Sequence, residues 1–208
     1  MERMNVEGMR VLDLGCGSGY WSSLLALRAR EVVGLDHSPA AVASAAESAR
    51  VSGTTNCRFH KADFRDDDLP EVLGHFDVVT AFGVLHRVPD IFSFFDLAAR
   101  FAPRLVVEWR APVFPLMQRF AIAAHSEKGF IDRSNLGARA KDSSIEAYGS
   151  FGFWDCSTRA VQVIAERAGF TQSHLWGLAR YRAERLSSPR AAILEWSSLT
   201  IRDVARKG

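Results

Sequence analysis

Three glycines, Gly15, Gly17 and Gly19, fall within "VLDLGCGSGYWS", two positions beyond an acid, Asp13, in an otherwise apolar run. Glycine lets the main chain approach a ligand closely, and a helix opening behind such a turn offers free N–H groups. The G-x-G-x-G spacing lacks the longer gap of the NAD fingerprint, and no Gly-Lys-Ser/Thr follows, which excludes a P-loop. Taken alone, the pattern also fits a tight strand-to-helix turn. Asp36 ends the next apolar run, 21 residues after Gly15. A carboxylate there can accept hydrogen bonds from both ribose hydroxyls of a nucleoside. Asp63, in "KADF", follows the third such run, beside where an adenine would lie. Two more groups could work on an acceptor. His86, in "FGVLHRVPD", has an ordinary pKa near neutrality and suits a general base. Glu108, in "LVVEWR", is a charge in a buried-strand pattern; it either meets substrate or pairs with an arginine such as Arg110.

Positioning these groups requires alternating elements. "MRVLDLG", "EVVGLD", "NCRFHKAD", "HFDVVTAF" and "RLVVEWR" read as five strands. Helical stretches fall between them: "YWSSLLALRAR", the Ala-rich run that Ser38 caps and Pro39 opens, and "IFSFFDLAARFA". Strands alternating with helices imply βαβ units and a mostly parallel sheet. The regularity breaks over residues 111–154, where "FPLMQRFAIAAH" reads as a helix and Lys128 to Ser150 as irregular. "STRAVQVIAERAGF" is then an amphipathic helix with Ser157 as its cap and Gly169 as its stop. "FTQSHLWGLA" and "AAILEWSSLTI" read as two final strands.

The ordered set "VLDLGCGSGYWS", "VVGLDHSP", "KADF", "FDVVTAFGVLHRVPD" and "LVVEWR" resembles the successive motifs of the class I S-adenosylmethionine-dependent methyltransferases. The resemblance covers residues 9 to about 110, and "AERAGF" extends it to the family's terminal hairpin. It implies an α/β, Rossmann-like, doubly wound sheet of seven strands, order 3-2-1-4-5-7-6, with strand 7 antiparallel. It also implies S-adenosylmethionine as cofactor. Gly15, Cys16, Gly17 and Gly19 would cradle the methionine part, and Asp13 would orient that loop or reach the cofactor amine. Asp36 would bind the ribose, with His37 alongside, while Asp63 and Phe64 would hold the adenine. The backbone near Ala81 and Phe82 would face the methionine end. Two departures stand out. The family carries one or two helices before the first strand, where this chain has ten residues, so another segment or a partner must form the lid. The fourth-strand exit, often Leu-His-His, reads Leu85-His86-Arg87 here, and Arg87 suits an anionic group on the substrate.

Composition sets the remaining bounds. The 208 residues suffice for one domain, and 48% hydrophobic against 24% charged is an ordinary globular balance. No run approaches the ~18 apolar residues of a membrane span, and "MERMNVEGMR" has no signal-peptide core. Three scattered cysteines fit a reducing cytoplasm and argue against disulfides or a zinc site. The net charge is +2, uneven between a slightly acidic first half and a basic second half. The expected activity is methyl transfer to the oxygen or nitrogen of a small molecule. The aromatic-rich segment 111–154 would serve as a helical cap inserted after strand 5 of a single domain, 1–208. No metal, membrane or specific nucleic acid is expected; a homodimer is. Two other functions fit less well: alkylation of transfer-RNA wobble uridine, and cofactor binding without transfer.

Overall fold

A computed structural model describes residues 5–63, 66–88, 90–110, 123–126, 153–170, 173–176 and 196–201. The strands are β1 (Arg10–Leu14), β2 (Glu31–Asp36), β3 (Cys57–Lys61), β4 (Val78–Phe82), β5 (Leu105–Arg110), β6 (Ala123–Ser126), β7 (Phe153–Cys156), β8 (Ser173–Trp176) and β9 (Trp196–Ile201). The helices are α1 (Tyr20–Ala26), α2 (Pro39–Val51), α3 (Leu69–Leu73), α4 (Ile91–Phe101) and α5 (Thr158–Arg167), with a 3-10 turn at Leu85–Arg87. The main sheet runs β3-β2-β1-β4-β5-β9-β8. Strands β1 to β5 pair in parallel, and β9 runs antiparallel to both β5 and β8. The α/β, Rossmann-like architecture expected from strand–helix alternation is therefore what the chain adopts.

Local sequence explains the helix starts. Ser38 Oγ accepts from Ala41 N–H with Pro39 in the first turn, the Asp90 carboxylate accepts from Phe92 N–H, and Ser157 Oγ accepts from Ala160 N–H. Alternation along the strands then splits the core in two. Leu12, Val79, Leu105 and Val107 pack with Phe94, Phe95 and Phe101 of α4 and Val161 and Ile164 of α5. Val11, Val32, Val78 and Val106 pack with Leu25 and Ala26 of α1. Each face of the sheet is thus covered, as buried parallel strands require.

The segment after β5 corrects one expectation. Residues 114–125 read as a helix from sequence, yet Ala123–Ser126 is a strand paired antiparallel with Phe153–Cys156, Ser126 opposite Phe153. Where the segment expected as a helical cap is described, it is a β-ribbon. Pairing with a distant partner has overridden the helical preference of the alanines. Asp155 lies in β7, and Ser157 caps the following helix, as the sequence predicts. The rest of the expected cap lies outside the described residues. Trp109, fully buried on β5, donates its indole N–H to the Cys156 carbonyl at 3.1 Å and so ties β7 to the sheet. No helix among the described residues is long and apolar enough to cross a membrane, and no group of three or more His, Cys, Asp or Glu among them could hold a metal ion.

Candidate active site

The glycine turn follows β1 and lies over the end of β2. Gly15 N–H and Cys16 N–H both donate to the Leu35 carbonyl, at 2.7 and 2.9 Å. Gly15 (φ 71°) and Gly19 (φ 80°) occupy the left-handed region, and neither has room for a side chain. A Cβ on Gly15 would stand 2.3 Å from Val84 Cγ2, and one on Gly19 would stand 2.9 Å from Ala45 Cβ. Gly17 is different: a Cβ there would meet nothing within 4 Å. The turn is clamped at both ends and open in its middle.

Two carboxylates flank it. Asp36 accepts from Gly17 N–H through Oδ2 and from Ser38 N–H through Oδ1, each at 2.9 Å, and His37 Nδ1 lies 3.4 Å from Oδ1. Each oxygen retains acceptor capacity, since a carboxylate offers about four lone-pair sites. Asp13 is 1% exposed and sits beneath the turn. It accepts from Ser22 Oγ at 2.6 Å and from Thr80 Oγ1 at 3.0 Å, joining β1, α1 and β4. Burial pushes its carboxyl up to about 6, with the Asp36 charge adding and the two hydroxyls pulling back. Burial, with both acids nearby, also drives the Cys16 thiol well above its ordinary range; it is inert packing, 7% exposed.

At the end of β3, Ala62 N–H donates to the Asp36 carbonyl, and Asp66 N–H donates to the Asp63 carbonyl in a short turn. Asp63 therefore lies beside Asp36 at the strand ends; Phe64 lies outside the described residues. The side chain of Ala81 is buried, so only its backbone can face a ligand.

These residues fit the cofactor implied by the sequence. Gly17 leaves open space at the middle of the turn. A carboxylate with spare acceptors suits a ribose diol, and two acids close together favour a cationic sulfonium and amine. The fit concerns the donor set and the open turn; Asp13 itself is committed to Ser22 and Thr80.

The acceptor candidates separate. His86 lies in the 3-10 turn after β4, 9% exposed, and its Nε2 accepts from Arg87 Nε at 3.2 Å. That bond occupies the lone pair a base would use. Glu108 lies on β5 opposite Phe82 of β4, on the α1 side of the sheet. Among the described residues no hydrogen bond or ion pair reaches its carboxylate, and burial pushes it up to about 7. The expected alternative, a pair with Arg110, involves a side chain that lies outside the described residues. Phe82, half-buried, packs on Trp21 at the start of α1, with ring centroids 4.6 Å apart and a 33° tilt. Trp21, Ser22 and Thr80 were not singled out in the sequence, although a threonine inside the apolar "VVTAF" was a signal. A cavity of about 270 Å³ lined by Phe76, Arg100, Phe101 and Phe170 lies at the other end of the sheet, before β4 and β5 begin. Ligands of open α/β sheets bind beyond the carboxyl ends of the strands, so this cavity is no part of the site.

Comparison with known proteins follows the same lines. A family model described as a methyltransferase domain matches residues 5–106. A ubiquinone biosynthesis O-methyltransferase of Pseudomonas syringae pv. tomato is 32% identical over 164 residues, covering 70% of this chain and 68% of that protein. One of Pseudomonas paraeruginosa is 31% identical over 160 residues, with the same shares. Among solved structures, the N-terminal domain of EvdMO1 with SAH bound aligns at a TM-score of 0.62 and 20% identity, over 93% of this chain and 73% of that one. A Mesorhizobium loti S-adenosylmethionine-dependent methyltransferase aligns at 0.60 and 21%, over 95% and 93%. The structures speak for the fold, and the curated relatives for the family. The chain belongs to the class I S-adenosylmethionine-dependent methyltransferases.

Proposed function

We propose that the protein transfers the methyl group of S-adenosylmethionine to an oxygen of a small, flat acceptor over the ends of β4 and β5, with Glu108 as general base. When bound, the cofactor supplies an electrophilic methyl on a sulfonium and leaves as the neutral thioether. The chain does the rest. The Gly15–Gly19 turn and Asp36 hold the nucleoside and the methionine part, and Asp63 borders the adenine. Trp21 and Phe82 form an aromatic wall against which a planar acceptor can lie. Glu108 accepts the proton of the acceptor hydroxyl as that oxygen forms its bond to the methyl carbon and the carbon–sulfur bond breaks. The ribbon of β6 and β7, which Trp109 holds at the end of β5, supports a cap role for residues 111–154.

The observation that carries this reading is Glu108, a half-buried carboxylate with no partner among the described residues at the carboxyl end of the sheet. A carboxyl raised to about 7 is a strong base for its type. Such a group is costly to bury, so its retention needs a purpose. The two curated O-methyltransferases support oxygen rather than nitrogen as the target. The test is the pH profile of turnover with a phenolic acceptor panel. The wild-type rate should climb through pH ~7 and level off, as a single base of that pKa requires. Glu108→Gln should lose about 10²-fold or more and lose the climb. A Gln variant with the wild-type profile would remove Glu108 from the chemistry.

A further inference from the structure

Gly34 stands in the middle of β2, an extended position that any residue could adopt, within a run otherwise filled by valine and leucine. Glycine inside a strand marks the close approach of something else. Here it is the ring of Phe59 from β3. A Cβ on Gly34 would stand 2.6 Å from Phe59 Cδ1, 2.8 Å from Cε1, and 3.0 Å from Cys16 Cβ in the glycine turn. The same ring extends to the far end of that turn, where Phe59 Cζ would meet a Cβ on Gly19 at 3.2 Å. The pairing register puts Phe59, Gly34, Asp13 and Thr80 in one row across β3, β2, β1 and β4. One aromatic ring thus lies in a notch beside the buried Asp13, a notch that Cys16 Cβ also borders, and its tip stands next to Gly19.

We propose that Phe59 is a positioning residue for cofactor binding: its ring, seated in the notch left by Gly34, braces the glycine turn from Cys16 to Gly19 in its ligand-ready shape. The inference rests on the reading of that turn as the cofactor cradle. A turn with this much glycine is expensive to order, so its pose must be imposed from outside. Val84 does so at Gly15 and Asp36 at Gly17. At Gly19 the stops are Ala45 of α2 and Phe59. Phe59 is half-buried on an edge strand whose residues are otherwise largely exposed. Its loss therefore leaves both core clusters intact while freeing the turn.

Calorimetric titration of S-adenosylmethionine into the full chain, beside thermal melts, tests this. Phe59→Ala should weaken binding about tenfold or more, with Phe59→Leu restoring most of it. Gly34→Ala, which drives the ring outward, should weaken binding in the same direction. Leu73→Ala, on α3 and away from the turn, sets the scale for destabilisation alone and should leave affinity within about twofold. Should Phe59→Ala fail to fold, Phe59→Leu and Gly34→Ala decide. Affinity unchanged in folded variants, or lost equally in Leu73→Ala at a matched melting temperature, would overturn the proposal. A wild-type chain that binds no S-adenosylmethionine would overturn the reading of the turn, and the inference with it.

Discussion

At the scale of single residues, the two carboxylates around the glycine turn do different work. Asp36, proposed to hold the ribose, anchors Gly17 and Ser38. Charge-assisted hydrogen bonds are worth roughly 1.5–3 kcal/mol each. Asp36→Ala should therefore weaken S-adenosylmethionine binding about tenfold or more in a folded domain. Unchanged affinity by calorimetry would take Asp36 out of the site. Asp13 is a structural brace, and pH reveals it. Its carboxyl titrates at about 6 in the fold against 3.8 when exposed. The folded state thus binds this proton more tightly than the unfolded chain. The stability it contributes is full below 3.8 and is lost as pH rises through 6. Two pKa units correspond to at most about 3 kcal/mol. Asp13→Asn, which keeps the shape, should gain stability relative to wild type as pH rises from ~4 to ~7. Urea melts of both proteins across that range check the sign, and a constant difference between them would contradict it.

At the scale of elements, strand–helix alternation made β1 to β5 and the helices α1, α2 and α4 legible from their periods, with side-chain caps marking the starts of α2 and α4. The short α3, which has no side-chain cap, was not read. Asp13 is the one acid inside an apolar run, Asp36 ends the second strand and Asp63 follows the third, so their places in the pattern singled them out. What was not legible depends on contacts between distant segments. The β6–β7 ribbon exists because Ala123–Ser126 meets Phe153–Cys156, and nothing local in an alanine-rich stretch announces a partner so far along the chain. The bond from Arg87 to His86 belongs to the same class: both residues were noticed, but not that one occupies the other's lone pair. Val84 is a third case, an ordinary valine by sequence that in the fold stands where a Gly15 side chain would go. Gly15→Ala should therefore cost about 2 kcal/mol or more, from a left-handed backbone together with a clash. Adding Val84→Ala should return part of the loss, and denaturant unfolding would measure it. Full return would mean that the backbone at Gly15 is unstrained, against its φ of 71°.

At the scale of the whole molecule, the sheet is a platform covered on both faces, and the proposed cap follows β5. Ser126 lies opposite Phe153, so a short hairpin turn can replace residues 127–152 without disturbing the ribbon. Loop closure entropy grows slowly with length, so the shortened chain should stay folded and still bind S-adenosylmethionine. It should lose transfer, because the acceptor is neither held nor shielded from water. Loss of the cooperative thermal transition would instead make that segment part of the core. A net charge of +2 gives little counterion release, so bulk transfer RNA should be retained only weakly on filters at physiological salt. The central claim is methyl transfer to a small-molecule oxygen. Its most direct test is to incubate the full chain with methyl-labelled S-adenosylmethionine, a panel of phenolic acceptors and bulk transfer RNA, and to ask where the label goes. The account predicts an aryl methyl ether formed in step with S-adenosylhomocysteine, and its disappearance in Glu108→Gln. Label recovered in the RNA, or cofactor bound without any turnover, would contradict it.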